Sequence, residues 1–395
     1  MGVRRVFQAV VLAWAGLTGC AMQPVVGALP QGIWHDAAFD YHPQRVTEGP
    51  DAVFGLDAGM RQSLLEQARG DSSVQGRLDT LIGALYGPAG IRLSYTSGHT
   101  TGAAQTWQSQ SGDCLSLTIL AYAAAKSMGL SAHMQEVRVP LLVDRRDGVD
   151  YVNGHVNLYI RNDFEIVIDG RAMLPGGFVI DFEPQPGTRA SGRWLGEGAI
   201  LARYYNNRAT EYLARNDRPN AYAYFRAAMA MQPDYAPPYV NLAQLYQRQG
   251  LGGDAEQLLL HAIALDPASY AALRNVAQLL ASQGRDAEAR NYAERLAQRQ
   301  SEDPYYWLGQ GLDALQSGRN AAAIAALEKA ASLTTGFEEI HTNLGVAYLR
   351  NGQIEAAAKQ LATLQGLNRR GPGAALLAKK LRAVRQGATL ASAAR

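Results

Sequence analysis

One slot recurs through the second half of the chain at a constant spacing of 34 residues: Asn216, Gly250, Gly284, Gly318 and Gly352. Five residues after each comes a small residue, namely Ala221, Ala255, Ala289, Ala323 and Ala357. Seven residues before each comes another: Ala209, Ala243, Ala277, Gly311 and Gly345. A fixed period with fixed side-chain sizes at fixed offsets constrains the fold to a stack of like supersecondary units. Small residues at two offsets suit two helices that cross closely, and Gly or Asn between them suits the turn that joins the pair. Tyr212, Tyr246 and Tyr348, with Phe225, Leu259 and Leu327, supply the larger side chains that fill the space between neighbouring units.

This pattern resembles the tetratricopeptide repeat. Pro233 and Pro267 close the first two units where that family places a proline; the third and fifth lack it in register, and Pro304 opens the fourth. The resemblance places five repeats at 202–235, 236–269, 270–303, 304–337 and 338–371. An apolar helix near 373–385 is expected to cover the last repeat, within a capping segment 372–395. The implied fold of this half is an all-α solenoid, whose concave surface suits a peptide or protein partner.

At the other end, Arg4 and Arg5 precede an apolar run from Val6 to Leu17, a form that fits an export signal. The run is too short to span a bilayer, and no later segment is apolar enough to do so. It ends in Leu17-Thr18-Gly19-Cys20, which resembles the lipobox of bacterial lipoproteins. The resemblance implies a signal peptide over 1–19, a diacylated Cys20 as mature N-terminus, and membrane attachment through that lipid. Ala21, in place of Asp, implies the outer membrane and a protein facing the periplasm. Residues 20–52 contain Pro24, Pro30, Pro43 and Pro50 with little periodicity, and read as an extended lipidated tether.

The chain has two cysteines, so a lipidated Cys20 leaves Cys114 with no intrachain disulfide partner. In an oxidising compartment an unpaired thiol is either buried and inert or used. Net charge is +2, from 37 Lys and Arg against 35 Asp and Glu, with no basic block, so nucleic acid is not an expected partner. Between the tether and the repeats, helical patterns cover 57–67 and 76–86, and a strand-like run covers 91–95. Ser111-Gly112-Asp113 then lead an apolar helix from Cys114 to Met128 that stops at Gly129. Strand patterns follow over 132–139, 155–160 and 164–169, and a Gly/Pro-rich stretch over 175–193 closes the domain. Arg161-Asn162-Asp163 read as the loop of a hairpin between the last two strands.

Cys114 falls in the first turn of its helix, where unsatisfied N–H groups and the helix dipole favour thiolate and can hold an oxyanion. With the loop at 161–163, Ile160 pairs with Phe164 and His155 falls directly opposite Asp169, about 5 Å between Cβ atoms. That register sets an imidazole and an orienting carboxylate on one face, a Cys–His–Asp arrangement. Gly112-Asp113-Cys114 with Ala125, Gly129-Leu130 and Ala132 is similar to the Cys motif of transglutaminase-like proteins. Gly154-His155 and Ile168-Asp169-Gly170 resemble their His and Asp motifs. Val156-Asn157 after the His and Gly170 after the Asp depart from residues common in that family, which leaves substrate choice open.

The resemblance implies a papain-like α+β domain over 53–195, with Cys114 as nucleophile, His155 as base and acid, and Asp169 as orienter. Gln108, upstream of the Cys, is the candidate second oxyanion donor; a solvent-facing loop glutamine is the plainer alternative, and Gln110 is a second candidate. Trp107 reads as core, and His99, His133, His261 and His341 as ordinary surface, core or solenoid residues. Zinc on Cys114, His155 and Asp169 lacks a supporting second Cys or paired His, so no metal or cofactor is expected. The functional expectation is an envelope thiol enzyme that cleaves or transfers the acyl group of a peptide or protein amide, with repeats that bind substrate or a protein partner. The alternative is a non-catalytic scaffold that binds partners through both halves.

Overall fold

The computed structural model describes residues 29–393 except 71–72, 88–89, 92, 97, 138–142, 147–148, 153–154, 162–165, 169–170, 174–176, 183–192, 335–336 and 368–370. The first helices are α1 (Pro50–Phe54), α2 (Ala58–Gln67) and α3 (Val74–Tyr86), followed by β1 (Ser94–Tyr95), α4 (Ala103–Ser109), β2 (Ser111–Gly112) and α5 (Cys114–Ser127). Eight strands follow: β3 (Ala132–Val137), β4 (Val143–Arg146), β5 (Val149–Val152), β6 (His155–Arg161), β7 (Ile166–Ile168), β8 (Arg171–Met173), β9 (Gly177–Ile180) and β10 (Arg193–Leu195). The rest is helical: α6 (Glu197–Ala214), α7 (Arg218–Met231), α8 (Pro237–Arg248), α9 (Gly252–Leu265), α10 (Tyr270–Ser282), α11 (Asp286–Glu302), α12 (Pro304–Gln316), α13 (Asn320–Leu333), α14 (Glu338–Arg350), α15 (Ile354–Leu367) and α16 (Pro372–Ala393).

Helix α5 is apolar on every side, and each residue from Leu115 to Ala125 is buried. A helix of that kind has to be surrounded. It packs against α1, α2, α3 and α4 and against the four-stranded antiparallel sheet β10-β3-β6-β9. Met134 of β3 and Val156, Leu158 and Ile160 of β6 join α5 in one apolar core. The helix ends where Gly129 adopts φ +70°, the left-handed conformation expected of a glycine just past a helix. The strand expected over 91–95 is only β1, which pairs in parallel with β2 immediately before α5.

Chain direction fixes which ends meet. Four residues separate the end of α5 from the start of β3, whose first residue, Ala132, pairs with Ile160 near the end of β6. At the other end Val137 pairs with His155. The end of α5 and the end of β6 therefore share one end of the domain, and the starts of α5 and β6 share the other. The 14 residues of α5 span about 21 Å and the 7 of β6 about 23 Å, so the two run side by side for matched lengths. The Thr118 hydroxyl, one turn after Cys114, donates to the Val156 carbonyl at 3.2 Å, which ties the two starts together.

Two expectations need correction here. Among the described residues, 155–161 does not pair with 166–168 as the expected hairpin requires. β6 lies between β3 and β9, and β7 pairs with β8, Ile166 with Met173 and Ile168 with Arg171. The place beside β6 belongs to Gly177–Ile180, an apolar run inside the stretch read as Gly/Pro-rich, with Leu158 opposite Ile180. Nor is the 20–52 segment an extended tether where it is described. Ile33 and Phe39 are buried, at 1% and 2% exposure, against the first two repeats. Its prolines start local helices instead: Pro43 and Pro50 open one each, and Pro30 caps another. Residues 1–28, with the Cys20 motif, lie outside the described residues.

The solenoid follows its sequence period closely. Five helix pairs, α6/α7 to α14/α15, are each joined by a turn whose recurring residue has a positive φ: Asn216 +58°, Gly250 +77°, Gly284 +74°, Gly318 +70° and Gly352 +77°. The first helix starts at Glu197, ahead of the expected 202, and α16 runs beyond the expected 385. Small residues stand where helices touch. A Cβ on Gly311 would lie 2.5 Å from Leu327 Cγ, whereas one on Gly309, in the same helix, would meet nothing within 4 Å. Gly309→Ala is expected to raise stability by about 1 kcal/mol through helix propensity alone. Gly311→Ala sets that gain against an overpacking penalty of about 1–3 kcal/mol and is expected to lower stability. Urea unfolding of the two variants, shifting in opposite directions, checks this; two upward shifts would contradict the close crossing.

The apolar core is not divided at the domain boundary. One cluster runs from Ile33 through α5 and the sheet to Ala289 of α11, and a second holds Leu308 to Leu381. Among the described residues no helix is long and apolar enough to cross a membrane.

Candidate functional site

Cys114 is the first residue of α5 and is half-buried. Asp113 caps the helix: its Oδ1 accepts the Ser116 N–H at 2.7 Å and the Ser116 hydroxyl at 2.6 Å. Asp113 Oδ2 accepts the hydroxyl of Thr100. Burial pushes the Asp113 carboxyl above the usual carboxylate range; the hydrogen bonds from Ser116 and Thr100 oppose that push, and the nearby Glu211 charge adds to it. Gly112 precedes this cap because nothing larger fits: a Cβ there would lie 2.7 Å from the Ser116 Cβ. The Gly-Asp-Cys sequence thus has a local structural basis, a close approach followed by a cap at the thiol-bearing turn.

His155 opens β6 and is 4% exposed. Its Nε2 lies 2.8 Å and 2.9 Å from the two oxygens of Asp181. Asp181 also accepts from Asn157 Nδ2 at 3.2 Å. With Leu158 opposite Ile180, Asp181 stands across from Asn157, and His155 lies two residues further along the same face of β6. Among the described residues the carboxylate bonded to His155 Nε2 is Asp181; Asp169, the partner expected from sequence, lies outside the described residues. Next to Asp181, the Phe182 ring stacks on Tyr86 at the end of α3, centroids 5.6 Å apart, which holds this piece of chain in place. Burial, with the Asp181 charge beside it, pushes the Tyr86 hydroxyl up.

The pairing assigns the ring nitrogens. An Nε2–H donated to the carboxylate leaves the Nδ1 lone pair as the imidazole's basic site. Asn157 is 1% exposed and its Oδ1 has no partner among the described residues, so an unpaired acceptor sits beside the His–Asp pair. Gln108, the candidate oxyanion donor, is exposed on α4, and Gln110 just after α4 is exposed in the left-handed conformation. Trp107 is part-buried against the core. Among the described residues no three His, Cys, Asp or Glu side chains are grouped to hold a metal.

The other histidines have local partners. His99 meets Glu211 at 3.1 Å, His133 lies edge-on to Trp194, His261 packs on Tyr239, and His341 bonds Gln360 at 2.8 Å. Sequence reasoning missed Asp181. Its available signal was the run Gly177-Phe178-Val179-Ile180 leading into an acid, a strand pattern bounded by glycine on one side and Pro184 on the other.

Comparisons with known proteins bear on the repeats. A tetratricopeptide repeat family model matches residues 212–263 and 314–380, and a second of the same description matches 240–305. The C-terminal half is thus a run of tetratricopeptide repeats, an architecture suited to protein–protein interaction. Solved structures similar to the chain include MamA, at 20% identity over 43% of this chain and 93% of that one, with a TM-score of 0.24. PilF of Pseudomonas aeruginosa is similar at 20% identity over 50% and 90%, with a TM-score of 0.26. YrrB, described as a TPR protein with an unusual peptide-binding site, is similar at 19% identity over 45% and 92%, with a TM-score of 0.24. No curated protein matches the chain.

Proposed function

We propose that the chain is a lipid-anchored envelope thiol enzyme of transglutaminase-like type, whose repeats bind the substrate or a protein partner. The observation that carries the reading is the pairing of buried His155 with half-buried Asp181 at the start of β6, the end of the domain where α5 begins with Cys114. In this reading Cys114 Sγ attacks the carbonyl carbon of an amide while His155 Nδ1 takes the thiol proton. The free N–H groups of the first turn of α5 hold the oxyanion. The proton on His155 passes to the departing amine, the C–N bond breaks, and a thioester on Cys114 remains. Water then yields an acid, or an amine yields a new amide, and either restores the thiol. Asp181 holds the imidazole in the tautomer this needs, the role the resemblance to transglutaminase-like proteins assigns to Asp169. The Leu17-Thr18-Gly19-Cys20 tetrad supports attachment through lipid on Cys20 and an outer-membrane, periplasm-facing location.

The test is the pH dependence of Cys114 alkylation by iodoacetamide, read from the mass of its peptide in the full chain and in His155→Ala. The expected result is alkylation that persists well below the ordinary thiol pKa of about 8.5 and returns to that value in the variant. An ordinary profile indifferent to His155 would sink the enzyme and leave the scaffold reading. That alternative finds its own support in the undivided core joining the thiol domain to the first three repeats.

A further inference from the structure

The first repeat is built into the support of the thiol helix. Loop 99–101 runs between them with its middle residue, Thr100, 2% exposed. On one side it grips the first turn of α5: the Thr100 hydroxyl donates to Asp113 Oδ2, and the Thr101 N–H donates to Ser116 Oγ at 2.8 Å. On the other side it is held by α6. The Thr100 N–H donates to Glu211 Oε1 at 2.7 Å, and Asn207 Nδ2 donates to Thr100 Oγ1 at 3.1 Å. Glu211 is itself held by Arg208 at 2.7 Å, Arg215 at 3.9 Å and His99 at 3.1 Å, with its side chain 8% exposed. Asn207 occupies the same repeat slot as Asn241, Asn275 and Asn343, each 34 residues or a multiple of 34 away. In the first repeat that slot is spent on the thiol domain.

The bonds from Thr100 and Thr101 to Asp113, Ser116 and Glu211 are directional and buried, so they fix geometry more firmly than apolar packing alone. The first turn of α5, which begins at Cys114, is capped by Asp113; that cap is bonded to Thr100, and Thr100 to Glu211. We propose that Glu211 of the first repeat is a positioning residue for Cys114, acting through Thr100 and the Asp113 cap, so that the solenoid sets the reactivity of the thiol. This rests on the thiol-enzyme reading above. It follows that a partner drawing Arg208 or Arg215 away from Glu211 would alter the thiol without touching it.

The measurement is the same alkylation profile in the full chain, with thermal unfolding recorded beside it. Thr100→Val keeps the shape and removes the hydroxyl link. Glu211→Leu leaves the Thr100 N–H without an acceptor, whereas Glu211→Gln retains one. The expected result is a rise of the Cys114 midpoint toward the ordinary thiol value in Thr100→Val and Glu211→Leu, restored in Glu211→Gln. Lowered melting temperatures in Thr100→Val and Glu211→Leu with an unmoved midpoint would mean a merely structural link and would overturn the proposal. A wild-type profile that is ordinary and indifferent to His155→Ala would end the enzyme reading, and this inference with it. A low, His155-dependent midpoint unchanged in Thr100→Val and Glu211→Leu would end the inference alone.

Discussion

Asp181→Asn is expected to lower the rate at which Cys114 is acylated by roughly 10²–10⁴-fold, with little change in fold. The side chain keeps its volume and can still accept from Asn157 Nδ2. What changes is the bond to His155. A carboxylate only accepts, so it requires a proton on Nε2 and leaves Nδ1 basic. An amide can donate, and an NH₂ facing Nε2 would stabilise the opposite tautomer, with the proton on Nδ1 and no base there for the thiol. In the proposed mechanism, the positive charge on an imidazole that has taken the thiol proton would also lose its counter-charge at 2.8 Å, inside a site where His155 is 4% exposed. The release of nitrophenol from p-nitrophenyl acetate, with acetyl found on the Cys114 peptide, reads the step without knowledge of the natural substrate. Asp169→Asn is the companion variant and is expected to stay within about twofold of wild type. A large loss in Asp169→Asn with none in Asp181→Asn would reverse the assignment and restore the pairing expected from sequence.

What could be read ahead of the structure, and what could not, follows from the range of the determining interactions. The 34-residue slot was legible because each turn places one residue in the left-handed region, where the choice falls on Gly or Asn. Five such residues in register specify five helix pairs with little else needed. Helix α5 was legible for a similar reason, since its Asp cap, apolar body and terminal Gly are all local. Strand pairing is a different problem. β6 presents two usable edges, and the nearest following run, 164–169, with a short polar loop before it, is the neighbour local pattern favours. The true neighbour, Gly177–Ile180, is four residues long and separated from β6 by the β7–β8 pair. Nothing local distinguishes these two, and a wrong neighbour moves the carboxylate from Asp181 to Asp169 while leaving Cys114 and His155 where they were expected. The Glu211–Thr100 bond, across 111 positions, had no periodicity to announce it.

Phe39→Ala is expected to destabilise the protein by about 3–5 kcal/mol, a large effect for a residue in a segment whose sequence reads as linker. The ring is stacked on Tyr222 with centroids 4.6 Å apart and on Tyr246 at 5.7 Å, both nearly parallel, and all three are essentially fully buried. The segment that carries it is secured by polar contacts at several points. The Tyr246 hydroxyl donates to the Ile33 carbonyl at 2.6 Å, the Tyr222 hydroxyl to Asp36 at 2.7 Å, and His35 meets Asp254 at 2.6 Å. Arg226 pairs with Asp36 and lies over Trp34, and further along the hydroxyl of Tyr205 donates to the Glu48 carbonyl. Removing the phenyl ring leaves a cavity beside two tyrosines whose ring centroids are 6.4 Å apart and whose hydroxyls are tied in place, which limits how far the walls can close over it. Phe39→Leu, which keeps most of the volume, is expected to cost under about 1.5 kcal/mol. Urea unfolding of both variants gives the comparison, and limited proteolysis between residues 29 and 49 reports whether the segment has come away. Equal, small shifts in the two variants, with the segment still protected, would mean that the polar ties alone hold it. A loss confined to Phe39→Ala, with cleavage appearing ahead of Gly49, would mean that the solenoid's first two repeats require this strap as part of their core. A chain cut at the expected end of the tether would then lack part of its own fold.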